Sequence, residues 1–289
     1  MEKLERRNFL VRAGQVGLLS GLLGAAATQP VTCNLNTVPN GDAGSQLPAL
    51  PWPYAKLDVE TVRKRGHYWY YTKDCCGGVF TAIVKSLVEA VGAPFDKIPC
   101  DMMLYGAGGA AGFGSLCGAL NGAGAAIGLA FDKPTTMKLM TELISWYAVE
   151  PFPSDISNTY AQNHEFLVEQ YKTDAWLPSS VADSELCHAS VTHWCLGSGF
   201  ASGSVERSER CGRLAGDVAA KAVELMNAQY DGTFIAAHPL PSEAASCSLC
   251  HYQGTDFARG QFTRGKTNCE KCHVDLYSDL NESPHGFSW

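Results

Sequence analysis

The clearest helical signal in the chain is the run Val79-Phe-Thr-Ala-Ile-Val-Lys-Ser-Leu-Val-Glu-Ala-Val-Gly92. Its large apolar residues recur at intervals of three and four, the spacing of one buried face of an α-helix, and the run stops at a glycine. The same spacing returns in two later segments, with Leu139, Leu143, Trp146 and Tyr147 in one and Leu214, Val218, Ala222 and Leu225 in the other. No segment alternates for long enough to indicate a strand. The pattern therefore predicts a mainly α fold.

The helical body, which we place at residues 57–231, is flanked by segments of different composition. Residues 28–56 contain five prolines, which exclude helix and central strand, so we expect an extended linker or arm lying on the surface. Residues 232–289 are poor in large apolar residues. There we expect a small C-terminal module of loops and short helices, wrapped around a cofactor that replaces a side-chain core.

The C-terminal module carries one short pattern twice. Cys247-Ser-Leu-Cys250-His251 and Cys269-Glu-Lys-Cys272-His273 both read C-x-x-C-H, the attachment signature of a c-type haem. Two thiols at this spacing form thioethers to the two vinyl groups of one porphyrin, and the adjacent His is delivered to the iron. The motifs therefore predict two covalently bound haem c groups, with His251 and His273 as proximal ligands.

Two other interpretations of these cysteines compete with haem. Two C-x-x-C pairs also resemble a four-cysteine zinc ribbon, and the same thiols could close two disulfides. A His directly after both second cysteines is surplus to a zinc ribbon and necessary to a haem. The repeated His therefore favours haem.

The sixth ligand of each iron determines whether the haems carry electrons or bind a substrate. Residues 232–289 contain no Met and four histidines, two of which belong to the motifs. His238 and His285 remain as candidate distal ligands, one for each iron, which predicts low-spin bis-His haems of low potential. The alternative is that these two face solvent. The ligands would then come from the remaining histidines (His67, His164, His188 and His193) or from a second subunit.

The N-terminal segment has the features of an export signal. Glu5-Arg-Arg-Asn-Phe-Leu10 is a twin-arginine pattern, followed by an apolar, Gly-rich run and a small-residue cleavage site at Ala25-Ala-Ala27. We interpret residues 1–27 as a twin-arginine signal peptide, which predicts a periplasmic protein. The run is too short for a stable membrane span, which needs about 20 apolar residues. An uncleaved anchor and lipidation of Cys33 are the alternatives.

The charge of the chain bears on its partners. The formal net charge is -7, and residues 1–27 contribute four basic and two acidic residues, so the mature chain carries -9. An acidic surface argues against nucleic acid as a partner and favours basic periplasmic redox proteins.

Eight cysteines lie outside the haem motifs: Cys33, Cys75, Cys76, Cys100, Cys117, Cys187, Cys195 and Cys211. Disulfides are the default in an exported protein. The twin-arginine route, however, carries proteins already folded in the cytoplasm, often because a cofactor is inserted there. An iron–sulfur cluster, which requires four thiolates, is the obvious cofactor of this kind, so cluster, disulfides and free thiols all remain open. The Gly- and Ala-rich residues 106–126 would allow the backbone to approach another helix, or a cluster, closely.

Four of these cysteines lie in elements that resemble a known family. Cys76 opens an apolar helix, Cys117 lies in Leu116-Cys-Gly-Ala-Leu-Asn-Gly122, Cys195 follows a Trp, and Cys211 lies at the start of a late helix. This order is similar to the family named for its C, GCAxxG, C and C elements, although the residues on both sides of Cys117 depart from the family name. With the two haem motifs added, the chain from about His67 to His273 resembles the split-Soret cytochromes c of sulfate-reducing bacteria.

The resemblance implies a homodimer with two haems per subunit gathered at one end. The haems would lie close enough for their π-systems to couple, which splits the Soret absorption band. It also implies an iron–sulfur centre in the helical body, with Cys76, Cys117, Cys195 and Cys211 as ligands. Cys75 and Cys187 lie near enough in sequence to two of these to compete for the role.

The function that follows is outer-sphere electron transfer, because six-coordinate irons rearrange little when they accept an electron. One alternative is a haem-dependent reductase of a small oxyanion or peroxide, with an open axial position that would bind carbon monoxide. A sensor or structural redox subunit is a further alternative, but the sequence lacks a kinase, DNA-reading or receptor segment to support it.

Overall fold

A computed structural model of the protein describes residues 47–247 and 265–267. Within these ranges the chain forms seven α-helices, two 3₁₀ helices and one pair of two-residue strands. In chain order the elements are α1 (Val59–Ala90), the 3₁₀ helices Phe95–Lys97 and Cys100–Gly106, α2 (Gly118–Ala130), α3 (Lys133–Val149), β1 (Pro151–Phe152), α4 (Asp155–Gln162), β2 (Ser180–Val181), α5 (Cys187–Ser198), α6 (Val205–Tyr230) and α7 (Ser242–Cys247). The prediction of a mainly α fold is confirmed.

Helix α1 is two helical arms joined by a sharp break. Asp74 has φ 53° and ψ -169°, far from helical values. The arms run antiparallel, because Arg65 on the first arm donates hydrogen bonds to Ser86 (2.8 Å) and Glu89 (2.7 Å) on the second. The second arm contains the periodic run from Val79 and ends at Ala90, and Gly92 follows with φ +85°, as its sequence predicts. The break places Cys75 and Cys76 at the start of the second arm.

Helix α6 packs along α1, and its apolar face forms much of the core. Leu214, Val218 and Ala222 are almost completely buried there, which confirms the spacing predicted for this segment. Leu139 and Leu143 of α3 are also fully buried. The three helices predicted from apolar spacing therefore all contribute to one core.

Two buried carboxylates on α6 bind side chains of α1. Glu209 accepts hydrogen bonds from Tyr71 (2.5 Å) and Arg213 (3.0 Å) and contacts Nε2 of His67 at 2.9 Å. Asp217 accepts from Arg63 at 2.5 Å. A buried charge is costly unless it is paired, so these contacts hold α1 and α6 in one register.

The proline-rich arm is described from residue 47 onward. Its chain is irregular, but Trp52 is only 4% exposed, and its indole packs edge-on against Phe95 with 5.2 Å between ring centroids. The Trp52 backbone N–H also donates to the carbonyl oxygen of Leu129 at 2.8 Å. The expectation of a wholly surface-lying arm is therefore wrong at Trp52, because a large aromatic ring gains more from burial than from solvent exposure.

Several predicted features lie outside the described residues. They are the signal peptide at 1–27, the arm up to residue 46 and most of the C-terminal module. Among the helices of residues 47–247, none combines the length and the apolar character that crossing a membrane requires.

Candidate metal centre and haem ligands

Three helical N-termini meet at a group of cysteines. Cys75 and Cys76 open the second arm of α1, Cys117 immediately precedes α2, and Cys187 is the first residue of α5. The N-terminus of a helix carries partial positive charge, which favours a thiolate over a thiol. The arrangement therefore suits anionic sulfur ligands.

Backbone hydrogen bonds bring the segments that carry Cys117 and Cys187 together. The Cys117 N–H donates to the carbonyl oxygen of Glu185 at 2.9 Å, and the Cys187 N–H donates to that of Ser115 at 2.8 Å. This antiparallel bridge holds the N-termini of α2 and α5 next to each other. The proximity of these two cysteines, which are 70 positions apart in the chain, depends on it.

Cys75, Cys117, Cys187 and Cys211, which we call the cysteine cluster, also interact electrostatically. Burial raises the pKa of Cys75 well above its ordinary value, and charges on the other three raise it further. Burial, followed by the charges of Cys117 and Cys211, raises the pKa of Cys187 to about 12. Cys75 and Cys187 therefore stay protonated at neutral pH until a metal cation displaces their protons.

The structure groups the predicted cluster ligands only in part. Cys117 and Cys211 belong to the cysteine cluster. Cys76 lies next to the cluster, because burial and then the charge of Cys117 raise the pKa of Cys76 to about 12. Cys195 lies about two turns beyond Cys187 on α5 and influences Arg207 instead. Across residues 47–247 and 265–267, no three His, Cys, Asp or Glu side chains stand at metal-binding distances, so the ligand set stays a prediction.

Glycines allow the backbone to approach these thiols closely. A Cβ atom on Gly106 would lie 2.3 Å from Sγ of Cys76, and one on Gly118 would lie 2.4 Å from Sγ of Cys75. A Cβ on Gly122 would lie 2.2 Å from the carbonyl oxygen of Cys76. Contacts this short exclude any side chain, so the close approach expected for residues 106–126 is confirmed.

A buried arginine lies beside the cysteine cluster. Arg210 of α6 is 1% exposed and donates one hydrogen bond, from Nη1 to Oγ of Ser190 at 3.0 Å. Its Nε and Nη2 have no hydrogen-bond partner in the part of the chain that the structure describes. Its positive charge acts on Cys117, Cys187 and Tyr147, lowering the pKa of each against the larger effect of burial.

Of the two predicted distal haem ligands, His238 and His285, His238 lies among the described residues, and Glu142 orients it. Nδ1 of His238 lies 2.6 Å from Oε1 of Glu142, and the backbone N–H groups of Ala237 and His238 donate to Oε2 at 3.1 and 3.2 Å. Because a carboxylate only accepts, Nδ1 carries the proton and Nε2 is the nitrogen available to a metal. Burial favours the neutral form of Glu142, but its bonds to His238 and Ala237 hold its pKa below the ordinary value.

Sequence reasoning missed Glu142, although a signal was present. Glu142 falls on the apolar face of α3, between Leu139 and Leu143, and is 3% exposed. A charged residue at such a position requires a partner. The position of Glu142 in the apolar spacing was the signal that could have identified a buried carboxylate.

The other candidate histidines of the body are placed differently. His67 is completely buried, stacks on Phe166 with 3.8 Å between ring centroids and contacts Glu209. His164 is exposed and pairs with Asp174 at 2.9 Å, and His193 contacts the carbonyl oxygen of Val181 at 3.3 Å. Of these, His67 is enclosed too tightly to reach a haem.

Most of the haem-motif residues lie outside the described residues. They are Cys250, His251, Cys269, Cys272, His273 and the candidate distal ligand His285, and for Cys247 the structure describes the backbone at the end of α7. Between the motifs, Lys266 donates to Oγ1 of Thr141 at 3.0 Å and Thr267 donates to Oε1 of Glu185 at 2.5 Å. Thr141 adjoins Glu142, and the Glu185 carbonyl bonds Cys117. Lys266 and Thr267 therefore contact residues that are next to members of both candidate sites.

Known proteins resemble this chain over most of its length. Residues 74–225, just over half of the chain, match the family model described as "Putative redox-active protein (C_GCAxxG_C_C)". The chain is also 32% identical, over 282 residues, to the split-Soret cytochrome c of Desulfovibrio desulfuricans (strain ATCC 27774 / DSM 6949 / MB), covering 96% of this chain and 97% of the relative. The chain belongs to the split-Soret cytochrome c family.

A solved structure extends the similarity to the fold. The chain matches the solved structure of the split-Soret cytochrome c from Desulfovibrio desulfuricans ATCC 27774, a protein with a novel iron centre. The TM-score is 0.68 at 31% identity, covering 80% of this chain and 93% of the other. The predicted resemblance is confirmed. The homologue supports a redox role for a cytochrome c that has haem and an iron centre.

Proposed function

We propose that the protein is a periplasmic dihaem c-type cytochrome that transfers electrons through low-potential bis-His haems and carries an iron–sulfur centre in its helical body. The observation that supports this most is the pair of C-x-x-C-H motifs in a chain that matches a split-Soret cytochrome c over 96% of its length. Export by the twin-arginine route, a homodimeric state and basic periplasmic redox partners belong to the same proposal.

The C-terminal residues have distinct roles in this proposal. Cys247 and Cys250 tether one haem and Cys269 and Cys272 the other, so that neither is lost after export. His251 and His273 are the proximal ligands. When bound, haem c supplies a one-electron iron couple. With two histidines for each iron and the thioether tethers, the chain would hold both cofactors fixed, which would limit rearrangement during electron transfer.

The Glu142–His238 pair supports the bis-His assignment and argues against the reductase. Glu142 fixes the tautomer and the ring direction of His238, as carboxylates commonly do for metal-binding histidines. A histidine held in this way is prepared to ligate. His285 remains the proposed distal ligand of the second haem.

The cysteine cluster is suited to bind an iron–sulfur centre. It combines four cysteines, three helical N-termini and a glycine-lined backbone that leaves no space for side chains. When bound, such a centre stores one further electron. We assign the ligand roles to Cys117 and Cys211 from the predicted set, with Cys75 and Cys187 in place of Cys76 and Cys195, because the charges of Cys117, Cys187 and Cys211 all act on Cys75.

The test is mass spectrometry of the exported protein together with haem and total iron quantitation and electron paramagnetic resonance on the same sample. We expect two haems and at least two further irons per chain. A polypeptide without added porphyrin would overturn the cytochrome assignment, and two irons in all would remove the cluster. Uptake of carbon monoxide by the ferrous protein would favour the reductase instead.

The cysteine assignment has its own experiment. Cys187→Ser should reduce the non-haem iron content strongly while Cys195→Ser leaves it near the wild-type level. The reverse result would restore the ligand set predicted from the family resemblance.

A further inference from the structure

Arg210 differs from the other buried arginines of the helical core. Arg63 bonds Asp217 and Arg213 bonds Glu209, so each guanidinium has a carboxylate counter-charge. Arg210 is equally enclosed, yet its one hydrogen-bond partner in residues 47–247 and 265–267 is the neutral hydroxyl of Ser190. Two of its nitrogens, Nε and Nη2, are buried without a partner.

A guanidinium cannot relieve this situation by losing its proton, because its pKa lies far above neutral pH. A buried cation with unused donors therefore requires an anion in its surroundings. The titratable groups that its charge affects are Cys117, Cys187 and Tyr147. Of these, the two cysteines become anionic when they bind a metal.

The Tyr147 hydroxyl does not supply the missing acceptor. It is fully buried and lies near Cys117 and Ser190, but it makes no well-formed hydrogen bond within the described residues. Burial and the charge of Cys117 raise its pKa well above the ordinary value, so the phenol stays neutral. Among the three described groups on which the charge of Arg210 acts, the sulfur atoms of Cys117 and Cys187 remain as acceptors.

We propose that Arg210 is the counter-charge of the iron centre in the helical body, donating hydrogen bonds from Nε and Nη2 to its sulfur atoms. This inference rests on the proposed iron–sulfur centre. When that centre accepts one electron from the haems, or from dithionite in the test, it gains one negative charge. A fixed cation beside the sulfur stabilises the reduced form more than the oxidised form and raises the reduction potential.

The test compares Arg210→Gln and Arg210→Lys with Arg65→Gln, a control that removes a guanidinium bonded to Ser86 and Glu89 on the α1 arms. The non-haem centre is titrated with dithionite and followed by electron paramagnetic resonance. In Arg210→Gln we expect the ratio of reduced to oxidised centre at a fixed potential to fall about tenfold or more, equivalent to about 59 mV for one electron. Arg210→Lys and Arg65→Gln should stay within about threefold of wild type.

The outcomes separate this inference from the function on which it rests. Wild-type protein without non-haem iron would overturn the iron centre itself. An iron centre whose potential is the same in Arg210→Gln as in wild type would overturn only the role of Arg210. If Arg210→Gln keeps its helical content but loses the iron, retention of iron by Arg210→Lys supports the role of the charge, and loss in both variants overturns it.

Discussion

Single residues show where burial and charge conflict, and Glu142 is the clearest case. A carboxylate on the buried face of α3 is stable because three hydrogen bonds from residues 237 and 238 satisfy it. Those bonds also fix His238. The sequence predicted His238 as a ligand from the absence of Met in the tail, but it could not predict the partner, which is 96 positions away.

Replacing Glu142 tests this coupling. Glu142→Gln keeps the size of the side chain and removes the charge that fixes the His238 tautomer. We expect ligation by His238 to weaken about 10- to 100-fold. Ferrous haem should then bind carbon monoxide, measured by its optical spectrum. Glu150→Gln, at the end of the same helix, is the control. Unchanged ligation in Glu142→Gln would contradict the role given to this carboxylate.

His67 makes stability depend on pH. Burial lowers the pKa of His67 below 6.5, opposed by Glu209 and assisted by Arg213 and Lys172. The unfolded chain therefore binds more protons than the folded chain once the pH falls below about 6.5, so stability decreases as the pH falls. We expect unfolding midpoints to drop between pH 7.5 and 5.5. This drop should be smaller in His67→Gln and unchanged in a variant of the exposed His164. An equal drop in all three proteins would assign it to other groups.

At the scale of elements, the cysteine cluster depends on the positions of helix N-termini rather than on the apolar faces of the helices. Apolar spacing predicted α1, α3 and α6 because it reports local geometry. It could not place the break at Asp74, which turns Cys75 and Cys76 towards α2, nor the backbone bridge that brings Cys187 to Cys117. The bridge joins residues 115–117 to residues 185–187, far apart in the chain, so the sequence predicted the cysteines but not which of them meet.

Helix α2 offers a matched pair of substitutions. A Cβ on Gly122 would lie 2.2 Å from the carbonyl oxygen of Cys76, whereas the nearest atom to one on Gly128 is 4.0 Å away. We expect Gly122→Ala to destabilise the protein by about 1–3 kcal/mol and to lower the iron content. Gly128→Ala should be neutral or stabilising by up to about 1 kcal/mol, because Ala is the better helix former. Denaturant unfolding measures both, and equal effects would contradict the close packing.

At the scale of the whole molecule, two residues between the haem motifs contact the helical body. Lys266 contacts Thr141, the residue before Glu142 in the chain. Thr267 contacts Glu185, whose carbonyl oxygen accepts from the N–H of Cys117 in the cysteine cluster. The composition of the tail predicted a separate haem module. It could not predict this contact, because polar surface residues carry no periodic signal.

The net charge makes a prediction about partners that belongs to the same scale. With a formal charge of -7, or -9 after removal of residues 1–27, the protein should attract a basic redox partner over a distance of several ångströms. The second-order rate constant for reducing a small basic cytochrome should therefore fall at least about tenfold between roughly 0.01 and 0.5 M ionic strength, because salt screens the attraction. Stopped-flow spectroscopy measures this rate. An acidic flavodoxin-type partner is the control, and its rate should rise with salt. If added salt leaves the rate with the basic partner unchanged, the acidic surface has no part in selecting the partner, and the docking face must be sought where the charge is balanced.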